Sequence, residues 1–287
     1  MSMVAALLDD RARPTEPYAL AWSLHPSVLL GVGLLGILYL WGVRRITRAG
    51  SRPPIQQHDV GAGVSPPVSR WRVGSFIAGL VLMAASLNGP IHDLSDYYLF
   101  SAHMVQHLLL TLVVPPLLLG GAPREFIDPL LRRWKLERVA RFLTKPLAAG
   151  MLYSAVLAVW HLPGPYDLMM RNHDVHVATH LLFIAMAVLM WWPVLSLSEV
   201  APPASPGIRM LYLFLVGIPM QVIAAPISLS ETVLYPWYEG APRTWGLSPR
   251  DDQQLGGVLM WVPGGFWVWG AAAVEFFRWA KREELEA

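Results

Sequence analysis

The chain has 287 residues, of which 54% are hydrophobic and only 15% charged, against about 25% charged in soluble proteins. A net charge of +2 argues against a nucleic-acid partner, and zero cysteines exclude disulfides, thiolate metal ligands and cysteine nucleophiles. Thirteen Trp and twenty-five Pro fit a polytopic membrane protein better than a soluble core.

The opening MSMVAALLDDRARPTEP turns acidic too early for a cleaved signal peptide. Residues 1–24 therefore read as an extracytoplasmic segment preceding a membrane domain. A helix needs roughly 20 apolar residues to cross a bilayer core. Candidate spans are residues 27–43, 73–89, 99–119, 146–162, 176–195, 209–229 and 254–275, and Phe142 and Leu143 can extend the fourth. The expected fold is all-α: a membrane bundle of seven transmembrane helices over residues 25–280, then a cytoplasmic tail, 281–287. The Pro-, Gly- and Ser-rich stretch 50–69 reads as a loop. Pro115–Pro116, Pro219 and Pro226 fall inside spans, which neighbouring helices tolerate by satisfying the freed carbonyls.

Orientation follows from the basic residues. Arg44, Arg45, Arg48, Arg52, Arg70 and Arg72 flank the first connection. Arg124, Arg132, Arg133, Lys135, Arg138, Arg141 and Lys145 fill the third. With Arg209, Arg278, Lys281 and Arg282, seventeen of the 22 basic residues lie on one side. Only Arg11, Arg13, Arg171, Arg243 and Arg250 lie on the other. The N-terminus is expected outside and the C-terminus in the cytoplasm.

That topology places eight of the 9 histidines at the outer face, with only His58 inside. His103 and His107 lie in the third span, and His176 and His180 in the fifth. Each pair is four apart, so both rings share one helix face. Gln106 joins the first stripe, and His173 joins the second if the helix starts near Asn172, a favourable N-cap, with Asp174 in its first turn. Ionisable groups inside membrane spans point to function. Two facing i,i+4 pairs supply four nitrogens, a ligand set for copper or zinc, and nearby methionine tips it towards copper. The structural alternative is a set of histidines hydrogen-bonded across helices.

Weaker metal candidates are His161, which ends the fourth span, and Met260, which shares a face with Gln253, Gly257 and Gly264. Met104, Met169, Met170 and Met220 read as packing. His25, His92 and His173 read as headgroup-boundary residues. Asp252 is a third weaker candidate at the site, one turn from Leu255 and Gly256, where it would face the bundle and hold a histidine tautomer. Ser248-Pro249-Arg250-Asp251 fits a capping box, and Glu275 an ion pair with Arg278 at the inner boundary.

The stretch His103-Met-Val-Gln-His107, running into Pro115-Pro116 and Gly120-Gly121-Ala122-Pro123, resembles the CtaG family of bacterial cytochrome c oxidase assembly factors. So do Trp160-His161-Leu162-Pro163 and the pair His176 and His180 followed by Trp191-Trp192-Pro193. Asp252-Gln-Gln-Leu-Gly-Gly257, continuing through Met260-Trp-Val-Pro-Gly-Gly265, completes the set. The resemblance covers roughly residues 25–280. It implies a seven-span protein of the bacterial plasma (inner) membrane that handles copper for maturation of the oxidase copper centre. Its role would be that of an assembly factor or metallochaperone, with no catalytic residues. A haem–copper oxidase subunit, an extracytoplasmic copper carrier and membrane lipid would be its partners. The chain departs from the family pattern at Thr179, where a Glu often precedes the second histidine. Two rivals remain: a membrane zinc hydrolase in which Asp252 or Asp93 orients water, and a b-type haem protein ligated between His107 and His180.

Overall fold

A computed structural model describes residues 14–16, 18–19, 22–50, 68–243 and 245–286. Arg11, Arg13, Arg52, His58 and nearly all of the 50–69 loop lie outside the described residues. The helices are α1 (Pro26–Gly50), α2 (Arg70–Ser86), α3 (Gly89–Tyr97), α4 (Phe100–Leu108), α5 (Val114–Gly121) and α6 (Arg124–Arg133). They continue as α7 (Glu137–Leu143), α8 (Pro146–His161), α9 (Pro163–Arg171), α10 (His173–Leu195), α11 (Pro206–Leu229) and α12 (Pro249–Glu286). No strand occurs among the described residues. Proline opens α1, α8, α9, α11 and α12, at the first helical position, where its missing N–H forfeits no intrahelical bond and its fixed φ suits the helix. The Ser248 hydroxyl accepts from the Asp251 amide at 3.1 Å and donates to its carboxylate at 2.6 Å, as expected for the start of α12.

Five helical stretches are long and apolar enough to cross a membrane: Pro26–Arg48, Phe100–Gly121, His173–Leu195, Pro206–Leu229 and Pro249–Leu285. Two bent pairs, α2–α3 at 46° and α7–α8 at 71°, bring the number to seven if each is one crossing. The 71° bend sets Phe142 and Leu143, on α7, at an angle to α8, so they belong to the fourth span only where the bent pair is one broken crossing. At the α2–α3 bend Gly89 adopts φ +64°, a conformation glycine takes without steric cost. The Asn88 side chain holds the bend, accepting from the His25 amide at 2.7 Å and donating to the Ala84 carbonyl at 2.8 Å.

Residues 100–121 cross in one stretch although Pro115 and Pro116 lack amide protons. A five-residue π turn, Leu109–Val113, joins α4 to α5. Neither proline can donate to the Thr111 carbonyl, which would otherwise be orphaned in an apolar interior. The indole of Trp191 on α10 fills the gap, donating to that carbonyl at 3.0 Å. The Thr111 hydroxyl in turn donates to the His107 carbonyl at 2.7 Å. A pair of prolines thus docks the third predicted span onto the fifth.

The main apolar core runs through Phe100, Met104, Leu157, Tyr166, Phe183, Met190, Leu213, Met220, Ala224 and Met260. α12 lies against α4 and α11 because Gly256 and Gly257 leave room there. A Cβ on Gly256 would fall 2.4 Å from the Phe100 ring, and one on Gly257 2.5 Å from Ser228 Oγ. A second cluster clamps α1 to α2 and α5, with Tyr39 stacked 3.8 Å over Phe76 and its hydroxyl donating to the Gly121 carbonyl at 2.9 Å. Elsewhere α1 exposes Leu30, Ile37 and Trp41, a face suited to hydrocarbon. Glu275 pairs with Arg278 at 3.0 Å, as expected, and also with Arg209 of α11 at 3.1 Å.

Candidate metal centre

α3, α4, α8 and α10 bring most of the histidines to one end of the bundle. The Asn172 side chain accepts from the Val175 amide at 3.0 Å and so sets the start of α10. His176 and His180 then lie one turn apart, with Nε2 atoms 2.9 Å from each other. Asp96 of α3 brings Oδ1 to 3.3 Å from His176 Nε2. Two ligand atoms bound at about 2 Å to one ion stand about 3 Å apart, the spacing these three side chains have. Among the described residues, Asp96, His176 and His180 are the one group of three such ligands, with atoms all within 4.8 Å of one another.

Two more imidazoles border the trio. His92 Nε2 lies 3.5 Å from Asp96 Oδ2, and the ring of His103 sits 6.2 Å from His180 and 6.4 Å from His176 between centroids. His25 stands edge-on to His92 at 4.5 Å. Asp96 and His176 are each only 2% exposed and His103 4%, so a carboxylate here must be compensated by a proton or a cation. Its environment and the chemistry of its neighbours fit a metal ion.

The surrounding polar groups fix ring orientations. Gln106 Nε2 donates to the Ser86 carbonyl at 2.6 Å and to His92 Nδ1 at 3.1 Å, while its Oε1 accepts from the Ser95 hydroxyl at 2.8 Å. His92 therefore carries its proton on Nε2, facing Asp96. Trp237 donates to the Asp96 carbonyl at 2.7 Å, and Tyr238 to that of Ser95 at 2.6 Å. Tyr166 of α9 lies 3.1 Å from the Tyr238 hydroxyl, to which it must donate, and packs its ring edge 5.3 Å from His103. Burial pushes the Tyr166 hydroxyl well above its ordinary range and keeps it neutral.

The four histidines expected to converge do not all do so. His103, His176 and His180 share the cluster. His107, one turn further along α4 and about 6 Å deeper, meets His161 of α8 instead, with ring centroids 5.5 Å apart. His173 is exposed at the start of α10. Asp252 does not hold a histidine tautomer: its carboxylate accepts from the Phe100 amide at 2.7 Å, the Ser101 amide at 3.1 Å and the Ser101 hydroxyl, capping α4 from α12. Met260 is a core residue, 2% exposed, among Phe100, Met104 and Met220. Gln253 ties down the preceding loop, accepting from the Leu234 amide at 2.6 Å. Sequence reasoning missed Asp96 and set His92 aside. Their i,i+4 spacing was the available signal, weakened because α3 is only nine residues long.

Fold and site together define an all-helical, multi-pass membrane protein with a buried histidine–carboxylate cluster at one end. The chain belongs to the family described as cytochrome c oxidase caa3 assembly factor (Caa3_CtaG), which it matches over residues 37–282. It is similar to Uncharacterized protein Mb0105 of Mycobacterium bovis, at 26% identity over 210 residues, covering 67% of this chain and 32% of that protein. It is likewise similar to Uncharacterized protein ML1998 of Mycobacterium leprae, at 22% identity over 255 residues, covering 79% of this chain and 35% of the other. The chain thus spans about a third of the length of the curated relatives it matches. No solved structure matches it.

Proposed function

We propose that the protein assists cytochrome c oxidase assembly by holding copper at Asp96, His103, His176 and His180, with His92 alongside. Copper is cargo here, received from an extracytoplasmic carrier and passed to a haem–copper oxidase subunit. The observation that carries the proposal is the 2.9 Å spacing of His176 and His180 Nε2 with the Asp96 oxygen 3.3 Å from the former. Imidazole with one carboxylate, and no thiolate in the chain, binds copper loosely enough to release it. The bundle lies in the bacterial plasma membrane with its N-terminus and histidine end outside, as the distribution of basic residues favours.

The His176→Ala/His180→Ala double variant tests it. Detergent-purified protein loaded with copper and desalted should lose an ion per chain relative to wild type. Copper content equal to wild type would sink the assignment. The single carboxylate also suits zinc, so zinc retained preferentially from a mixture of both metals would turn the site into a zinc centre.

A further inference from the structure

The pair formed by His107 and His161 lies outside the cluster and is built differently. The Nδ1 of His161 sits 2.7 Å from the Leu157 carbonyl. It therefore carries the proton, which leaves the Nε2 lone pair free for another partner. That Nε2 is buried without a hydrogen-bond partner, on a side chain 7% exposed. The Nε2 of His107 is likewise buried and unpartnered. The two rings are 5.5 Å apart at 85°, yet they form no hydrogen bond with each other. Two imidazoles sharing an ion at about 2 Å each have ring centroids up to about 6 Å apart, so the separation admits one ion.

The surroundings decide which ion. Phe183 stands edge-on to the His107 ring at 4.3 Å and to His161 at 6.4 Å, so the pair has an apolar wall. Two neutral nitrogens in such a wall cannot offset a divalent charge or replace four to six waters. A soft, singly charged cation content with two or three nitrogen donors suits them. The π turn begins at Leu109, two residues beyond His107, and such turns often mark functional positions.

We propose that His107 and His161 form a second metal site, for Cu(I), one helical turn deeper than the cluster. It stands on residues the proposed function does not use. An ion moving along α4 would step from His103 to His107.

Silver(I), which mimics Cu(I) without redox chemistry, is the probe. Full-length protein in detergent is loaded with silver nitrate, desalted and analysed for silver per chain. Wild type should hold two ions, His161→Ala one, and Asp96→Asn/His176→Ala/His180→Ala one. His161→Met should restore the count and place sulfur in the silver X-ray absorption spectrum. If the outer cluster binds nothing, wild type holds one ion and His161→Ala none, which still supports the inner site. Wild-type silver content in both His107→Ala and His161→Ala overturns it. So does loss in His161→Ala that His161→Met, folded to the wild-type melting temperature, fails to restore.

Discussion

Asp96 and Asp252 are both buried carboxylates at the histidine end, 2% and 1% exposed, and their neighbours give them different work. Asp96 faces two imidazoles, His92 and His176. Asp252 faces the first amides of α4, where four N–H groups have no partner within their own helix. Its cap crosses from one helix to another, so removing it should loosen the docking of α4 on α12. Asp252→Ala is expected to lower stability by about 1–3 kcal/mol, the cost of leaving buried donors unsatisfied, with copper stoichiometry unchanged. Thermal unfolding in detergent alongside metal analysis checks both halves. A melting temperature like wild type with weakened copper binding would instead return Asp252 to the histidines. The residue types at this end are visible in the chain itself, but which acid meets which partner is not. Nothing in the sequence near Asp252 announces Ser101, 151 positions away.

At the scale of elements, local signals carried furthest. The Asn172 and Ser248 caps and the pairing of His176 with His180 are set by residues within one turn, so spacing alone exposes them. Long-range packing and departures from ideal helix geometry were hidden. The His103–His107 stripe is split because α10 offers its pair at one depth, leaving the next turn of α4 to α8. The proline pair in the same span was legible as a break, yet its remedy was not. Trp191 lies 80 positions from the Thr111 carbonyl it satisfies. Trp191→Phe keeps the aromatic volume and removes the donor. It should cost about 1 kcal/mol, since hydrogen bonds between membrane helices average about 0.6 and reach about 1.7 kcal/mol. Reversible unfolding by sodium dodecyl sulfate in mixed micelles measures the difference. An unchanged midpoint would mean that water or a relaxed backbone serves Thr111 equally well.

For the whole molecule the question is which end faces which compartment, because copper delivery from outside requires the cluster to be there. Seventeen of the 22 basic residues would occupy the opposite side, and short basic loops resist translocation. The segment formed by α6 and α7, residues 124–143, alone carries Arg124, Arg132, Arg133, Lys135, Arg138 and Arg141. With no cysteine in the chain, single replacements report position without background. Gly164 on α9 stands at the histidine end, and Gly207 near the start of α11 stands at the other. Both are exposed, and a Cβ at either meets nothing within 4 Å, so substitution should not disturb packing. A membrane-impermeant maleimide should label Gly164→Cys in intact cells with the outer face accessible, and Gly207→Cys only after lysis. The reverse pattern would put Asp96, His176 and His180 on the cytoplasmic side, where an extracytoplasmic carrier could not reach them. Copper would then have to enter from the cytoplasm, and the direction of transfer proposed above would be inverted while the metal site itself remained intact.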